Sequence, residues 1–296
     1  MHLGLFLAFG AALCWSLLNL LDKTILERFL RNPFALNAAI LALDLPVGLV
    51  ATLLTPASFS TGELVRLSLG MLAGITGAFF YFFALQRDHV SRVVPLFAVN
   101  PLLLALFGRI FLHEQLPVVA YLGITLIVLG AWTIQVRGSV WSPLRSRSLG
   151  LMLVGSLGWT TEIVLFKPLL DAHGTLPSFA RALLVSGIVG VLLLLRFHRE
   201  IASAARTVGR RLYGLLVLDE ALNITAFVTY FFAVSVWYAS LASAASSVQY
   251  LFVFILALIL ARRFPDIFKD ERGLRLNARK LLAIVAVIVG VILLPN

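Results

Sequence analysis

Ten predominantly apolar runs fill most of this chain, each close to the roughly 20 residues that a membrane-crossing helix needs. These predicted helices cover residues 3–22, 34–54, 64–86, 91–112, 117–136, 149–169, 178–196, 212–233, 240–261 and 280–294. Of the 296 residues, 60% are hydrophobic and only 13% charged, against about 45–50% and about 25% in soluble domains. The sequence therefore predicts an all-α membrane protein with ten transmembrane helices. A soluble enzyme or a membrane β-barrel would show other patterns.

The net charge of +10 comes mainly from the connections between these runs. The connections after the first, third, fifth, seventh and ninth runs hold 20 of the 24 Lys and Arg residues. Basic loops of membrane proteins face the cytoplasm and contact anionic lipid head groups. This role accounts for the positive charge, so we expect no nucleic-acid partner. The same asymmetry predicts that both termini lie outside the cytoplasm, in a multi-pass protein of a bacterial inner (cell) membrane.

Metal and cofactor motifs are absent from the sequence. Cys14 is the single cysteine, which excludes an internal disulfide, and the five histidines show no metal-ligand spacing. The sequence also contains no nucleotide-binding P-loop, which argues against an ATP-driven pump. We therefore expect neither a bound metal nor a cofactor.

Three collinear matches divide the chain into two halves. Residues recur in the same order 144, 149 and 160 positions later: Trp15 and Lys23 as Trp159 and Lys167, residues 81–84 as 230–233, and Gly130 as Gly290. The matches predict one five-helix repeat over residues 1–140 and another over 145–296, with a polar insertion near 262–280. Because five is odd, the second repeat is inverted in the membrane. Inverted repeats place a binding site near the midplane, which suits alternating access better than catalysis.

Several short motifs resemble those of a known family. They are the Trp-x7-Lys element of each half and the segment 109–117 (RIFLHEQLP), which is followed by the glycine-rich segment 121–130. The chain resembles the EamA-type ten-helix branch of the drug/metabolite transporter superfamily. Residues 261–265 (ARRFP) depart from the pattern, since they lack the glutamate. The resemblance implies two EamA-like repeats and a transporter rather than an enzyme, and this family more commonly has both termini inside the cell.

Lys23 and Lys167 occupy equivalent positions in the two halves. We expect them to lie near each other, so that two ammonium groups could hold a carboxylate or a phosphate. The alternative is that both side chains extend from the helix ends to the lipid head groups.

The most polar patch within a predicted helix contains Asp219, Glu220 and Asn223. Asp219 and Asn223 are four residues apart and share a helix face. Desolvation disfavours the ionisation of two adjacent carboxyl groups. One of them is therefore a candidate proton carrier or a ligand for a substrate amine, while the alternative is contact with loop water.

Two further acidic residues lie within predicted helices. Glu162 shares the face of Trp159, and we expect it either to bind substrate or to pair with Arg181 or a lysine. Asp44 precedes Pro46, which frees a backbone carbonyl group. We expect Asp44 to satisfy this local structure.

Paired amides and phenols complete the candidate set. Asn100 and Gln249 lie 149 residues apart at equivalent places, and they suit either a pore lining or interhelical hydrogen bonds. Tyr81 and Tyr230 need polar partners in hydrocarbon, and aromatic rings beside carboxylates also accommodate an ammonium ligand. The predicted substrate-binding residues are Trp15, Asn19, Lys23, Tyr81, Asn100, Trp159, Glu162, Lys167, Asp219, Glu220, Asn223, Tyr230 and Gln249.

The leading hypothesis is a secondary transporter of a small polar or amphipathic, amino-acid-like metabolite. Its partners would be the substrate, membrane lipids and a coupling proton or exchange substrate, in a monomer or homodimer. A second hypothesis takes the lysine pair as a clamp for a sugar phosphate, nucleotide sugar or lipid-linked phosphate. A third is an intramembrane lipid-modifying enzyme.

Overall fold

The computed structural model describes residues 2–88, 93–135, 147–263 and 278–295. Within these ranges all regular secondary structure is helical. The helices are α1 (His2–Arg28), α2 (Pro33–Leu54), α3 (Thr61–Arg87), a 3-10 helix (Val94–Val99), α4 (Asn100–Phe111), α5 (Val118–Gln135), α6 (Arg147–His173), α7 (Thr175–Val208), α8 (Arg210–Val236), α9 (Ala239–Ser246), α10 (Gln249–Arg263) and α11 (Ala278–Ile292).

The described helices form ten consecutive helical segments, because the 3-10 helix leads into α4 and α9 leads into α10. Seven segments are long and apolar enough to cross a membrane by themselves. They are α1, α2, α3, α6, α7, α8 and the composite Ala239–Leu256, with α4, α5 and α11 as shorter helices. The prediction of an all-α, multi-pass membrane protein with ten helices is confirmed. Most of the predicted insertion near 262–280 lies outside the described residues.

Helix α7 departs from its predicted boundary, because it continues past residue 196 to Val208. Phe197, Ile201 and Ala205 recur every four residues and form an apolar stripe on the extension. The Phe197 ring stacks on Phe34 with 5.8 Å between centroids, and the other two side chains are buried. The 34-residue helix is about 51 Å long and exceeds the roughly 30 Å hydrocarbon thickness of a bilayer. Packing of this stripe thus explains why a polar-looking connection is helical.

Four helix pairs join the two halves of the chain: α1 with α8, α2 with α7, α3 with α6, and α5 with α11. Glycines allow α2 and α7 to approach closely. A Cβ atom at Gly187 would lie 2.4 Å from the Leu45 nitrogen, and one at Gly190 would lie 2.3 Å from the Ala42 nitrogen. Small residues at such crossings bring helix backbones into direct contact in membranes.

Helix α9 takes its N-terminal cap from the other half of the chain. All eight of its residues are buried, and it begins after the extended residue Trp237. Glu114, in the connection between α4 and α5, is also buried and accepts hydrogen bonds from the backbone N–H groups of Ala239 (2.6 Å) and Ser240 (3.3 Å). The Ser240 hydroxyl donates to the same carboxylate. Because the first N–H groups of a helix lack intrahelical partners, Glu114 fixes the position of α9.

We expect Glu114→Ala to destabilise the protein by about 2–4 kcal/mol, because each buried N–H group left unpaired costs about 1–3 kcal/mol. The measurement is the thermal-unfolding midpoint of the purified protein in detergent. Glu200→Ala is the matched control, since Glu200 is an exposed glutamate that accepts a hydrogen bond from the Asn32 side chain. A Glu114→Ala midpoint equal to that of the control would contradict the capping role.

Candidate binding cavity

A central cavity lies between the two halves of the chain. Residues of α1–α4 and α6–α10 border it, whereas α5 and α11 contribute no described lining residue. Its walls are formed by residues away from the ends of long helices. Examples are Trp15 of α1, Asp44 of α2 and Asn223 of α8. Three of the four helix pairs that join the halves, α1 with α8, α2 with α7 and α3 with α6, therefore also enclose the cavity.

Eleven of the thirteen predicted substrate-binding residues line this cavity. Helices distant in sequence bring them together, since they come from both halves. They are Trp15, Asn19, Tyr81, Asn100, Trp159, Glu162, Asp219, Glu220, Asn223, Tyr230 and Gln249.

The two lysines lie outside the cavity, near opposite ends of α3. The Lys23 ammonium group donates to the Leu85 carbonyl oxygen at 2.6 Å. Phe166, the residue before Lys167, packs against Gly70 of α3. A Cβ atom added at Gly70 would lie 3.3 Å from the Phe166 ring. Leu85 and Gly70 are separated by about 22 Å along the helix axis. The expectation that the lysines lie near each other is therefore wrong.

Local ion pairs account for both lysine side chains. Lys23 lies 2.9 Å from Glu27, and Lys167 lies 2.6 Å from Asp171. Each partner is one helical turn further along the same helix. Neither ammonium group is thus directed at the cavity.

Two pairs of buried carboxyl groups join α8 to the first half of the chain. Asp219 hydrogen bonds with Asp22 of α1, and Glu220 hydrogen bonds with Asp44 of α2. All four residues are buried, with at most 3% of their surface exposed. The sequence had indicated only that Asp44 satisfies local structure at Pro46. The structure corrects this, because Asp44 lines the cavity and hydrogen bonds with Glu220.

Neutral groups surround these two carboxyl pairs. Tyrosine, serine and asparagine side chains donate to them without adding charge. The Tyr81 hydroxyl lies 2.7 Å from Asn19 Oδ1 and 3.1 Å from Asp22 Oδ2, the Ser186 hydroxyl donates to Asp44, and the Asn223 amide donates to Glu220 at 3.2 Å.

Three polar atoms of the cavity wall are buried, and no group of the described residues donates a hydrogen bond to them or accepts one from them. They are Asn37 Nδ2, Asp44 Oδ1 and Asp219 Oδ1. Unpaired buried polar atoms are rare because each costs free energy. The two oxygens belong to the carboxyl pairs, so a proton carried by the partner carboxyl group would satisfy them.

Glu162 carries the lining carboxyl group that belongs to neither pair. It is 4% exposed and forms no hydrogen bond or ion pair with another described residue. The carboxyl group lies against Gly74 of α3, where a Cβ atom would be 2.1 Å from Oε2. The predicted alternative partner, Arg181, instead donates to the carbonyl oxygens of Thr55 (2.5 Å) and Ala57 (3.0 Å). The pairing of Glu162 with Arg181 is therefore wrong.

Two Trp–Tyr pairs face the cavity from its two sides. The ring centroids of Trp15 and Tyr230 are 5.1 Å apart, and those of Trp159 and Tyr81 are 6.1 Å apart. Edge and tilted contacts of this kind stabilise aromatic clusters. A phenylalanine extends each pair: Phe227 lies 5.5 Å from Trp15, and Phe97 lies 4.5 Å from Trp159.

Comparison with known proteins links this arrangement to a transporter family. Residues 2–136 match the model of the EamA-like transporter family. This half of the chain belongs to that family. The EamA-like half contains α1–α5, and the match indicates a transporter of the drug/metabolite transporter superfamily.

A solved crystal structure is similar to this EamA-like protein over nearly its whole length. The similarity covers 98% of this chain and 94% of the other chain, with a TM-score of 0.68 and 18% sequence identity. At that identity the similarity shows a shared fold alone. A search of curated proteins finds no match.

Sequence reasoning gave no role to Asp22 and Asn37 of the EamA-like half, although both line the cavity. Asp22 follows Trp15 by seven residues, and Asp44 follows Asn37 by seven. A separation of seven residues returns to the same helix face. The polar character of these two faces was therefore the signal that could have identified them.

The cavity is acidic and aromatic. Among its described lining residues five are Asp or Glu, and none is Lys, Arg or His. No three His, Cys, Asp or Glu side chains in the described part of the chain are placed to hold a metal ion. Acidic groups within a membrane mark substrate or ion pathways, and aromatic faces attract organic cations. The arrangement can therefore bind a positively charged organic group.

Proposed function

We propose that this protein is a secondary transporter of a small, amine-bearing amphipathic metabolite, which binds in the central cavity and crosses by alternating access. The observation that carries the proposal is the lining itself, with five acidic and no basic residues among those described. Such a wall attracts an ammonium group and repels anions. Its aromatic residues provide contact for the apolar part of the substrate.

Glu162 is the proposed ligand of the ammonium group. Its carboxyl group is buried and unpaired among the described residues, so it has a free position for a charge-assisted hydrogen bond. Trp159, three residues earlier on α6, lines the same cavity together with Tyr81. A cation held by a carboxylate beside an aromatic face is stabilised by both.

An amino acid remains within the proposed substrate class. Its amine would bind as above, and the unpaired Asn37 amide could donate to its carboxylate. The five acidic residues favour an amine without that carboxylate. A phosphorylated substrate fits this lining poorly, and the lysines that suggested it lie elsewhere. No observation on the described residues favours a lipid-modifying enzyme.

Contacts between the halves support the proposal of two inverted EamA-like repeats, over residues 1–140 and 145–296. The Trp15–Tyr230 pair joins α1 to α8, and the Trp159–Tyr81 pair joins α6 to α3. Trp159 follows Trp15 by 144 residues, and Tyr230 follows Tyr81 by 149, which are the offsets between the two halves. The two pairs are therefore equivalent when the halves are exchanged. A carrier built in this way can expose one central site to either membrane face.

A polar contact repeats in the same manner. The Thr160 hydroxyl donates to Asn100 Oδ1 at 2.7 Å, and the Ser16 hydroxyl lies 3.2 Å from the Gln249 carbonyl oxygen. The same offsets relate these two contacts. The loop charges further support an orientation with both termini outside the cytoplasm.

The test is a stability screen with ligands that share one body and differ in charge. Tyramine carries an ammonium group, phloretic acid a carboxylate on the same phenol and chain, and tyrosine carries both. We expect tyramine to raise the unfolding midpoint of the purified protein, with tyrosine weaker and phloretic acid without effect. A ligand at 100 times its Kd adds about 2.7 kcal/mol to the stability of the folded state.

Related amines extend this screen beyond one shape. Agmatine, choline and phenethylamine test other cationic groups, and glucose 6-phosphate tests the phosphorylated class. Stabilisation by phloretic acid or glucose 6-phosphate without stabilisation by any amine would contradict the proposal. A stabilising amine would then be followed into liposomes as a radiolabelled transport substrate.

A further inference from the structure

The two buried carboxyl pairs suggest a role beyond substrate binding. Asp219 and Glu220 are consecutive residues of α8, yet they contact different helices of the other half, α1 and α2. An ionised carboxylate can only accept a hydrogen bond, so a hydrogen bond between two carboxyl groups requires a proton on one of them. Two such pairs therefore require two protons.

No cation among the described residues offers these pairs an alternative to a proton. The groups that face the Asp22–Asp219 pair are the Tyr81 hydroxyl and the Asn19 amide. Lys23, the residue after Asp22, is directed away to the end of α3. Only a shared proton then prevents two like charges from meeting in a medium of low dielectric constant.

The second pair, Asp44 with Glu220, has equally neutral surroundings. The Ser186 hydroxyl of α7 and the Asn223 amide of α8 donate to it. The remaining charges nearby are acidic, since Asp219 precedes Glu220 and Glu162 faces the same cavity from α6.

We propose that the Asp22–Asp219 and Asp44–Glu220 pairs are proton-binding sites through which the protein exchanges two protons for each amine that it transports. The inference rests on the proposed function and adds the coupling ion and its stoichiometry. Each proton joins helices from the two halves. Release of the protons leaves two negative charges on each pair, which attracts the incoming ammonium group and repels α8 from α1 and α2. Proton release is in this way linked to a relative movement of the halves.

The first experiment needs no substrate. Infrared spectroscopy of the purified protein detects the carbonyl stretching band of protonated carboxylic acids during a pH titration. We expect the wild-type protein to show bands of protonated carboxylic acids that disappear at high pH. Asp22→Asn should lack one component of these bands, and Asp44→Asn should lack a different component. Glu200→Gln is the control, because Glu200 is exposed. Spectra in which neither variant removes a protonated band would overturn the proposal.

The second experiment measures coupling in proteoliposomes with the membrane potential clamped at zero by potassium and valinomycin. With an acidic interior, each pH unit should raise the equilibrium accumulation of radiolabelled tyramine about 100-fold, because each of two protons contributes about tenfold. Asp22→Asn and Asp44→Asn should each reduce this factor to about tenfold.

The possible results separate the two proposals. A tenfold factor in the wild-type protein, no dependence on pH, or accumulation that follows a sodium gradient would overturn the two-proton inference, although tyramine binding would still support the substrate class. Loss of the protonated bands in the two variants, together with no response to any amine, would support the proton sites and contradict the amine assignment.

Discussion

Replacement of Glu162 by glutamine should weaken tyramine binding by about 100- to 1000-fold. The ammonium group would lose its carboxylate partner, which is a buried side chain (4% exposed). Removal of one partner of a buried ion pair costs about 3–5 kcal/mol, and each 1.4 kcal/mol is a factor of ten in Kd. Glutamine has nearly the same shape as glutamate, and Gly74 leaves room for it against α3. The fold should therefore be retained.

The measurement is the tyramine Kd by isothermal titration calorimetry of wild-type and variant protein in the same detergent. Glu200→Gln makes the same chemical change on the exposed surface of α7 and should leave the Kd unchanged. The unfolding midpoint of the unliganded protein shows whether each variant is folded. A Glu162→Gln Kd within threefold of the wild-type value would remove Glu162 from the proposed site.

The helices of this protein could be predicted because their signal is local. Each apolar run carries its own evidence of length and hydrophobicity, and the backbone must form its hydrogen bonds within the segment. The end of α7 is the exception, since Phe197, Ile201 and Ala205 are helical through packing against other parts of the protein. A polar segment with so narrow an apolar stripe is easily interpreted as a loop.

The membership of the cavity could be predicted largely from polarity. Polar side chains such as Asn100, Asp219 and Gln249 are costly toward lipid, so they turn to the interior. The sequence match between the halves added Trp15 and Trp159. Asp44 escaped this reasoning because Pro46 offered a local explanation for a buried carboxyl group.

The pairing of these side chains could not be predicted. Arg181 binds backbone carbonyl groups instead of Glu162, and Asp22 meets Asp219 from almost 200 residues away. Such partners depend on which helices are neighbours and on their relative depth in the membrane. The two lysines illustrate the same limit, because equivalent positions in the two halves of a sequence need not lie close together in the fold.

The crossing of α2 and α7 should be the least tolerant place in the fold. We expect Gly190→Leu to abolish the folded protein, or to destabilise it by more than the roughly 1–3 kcal/mol of ordinary overpacking. A Cβ atom there would lie 2.3 Å from backbone atoms of Leu41 and Ala42, and backbone cannot move aside as a side chain can. The two helices would have to separate, which would also break the hydrogen bond from Ser186 to Asp44.

Gly214→Leu is the matched control, since Gly214 lies within α8 with no heavy atom within 4 Å of a Cβ at this position. Both substitutions remove a helix glycine and gain about 0.8–1 kcal/mol of helix propensity. The two substitutions differ only in packing, so the difference in stability between the two variants measures how much the close contact of α2 with α7 contributes to the fold. Fluorescence-detected size-exclusion chromatography and the unfolding midpoint should give a wild-type profile for Gly214→Leu and aggregated or absent protein for Gly190→Leu. Equal profiles would mean that α2 and α7 can separate without loss of the fold, and that their close contact does not hold Asp44 in its place beside Glu220.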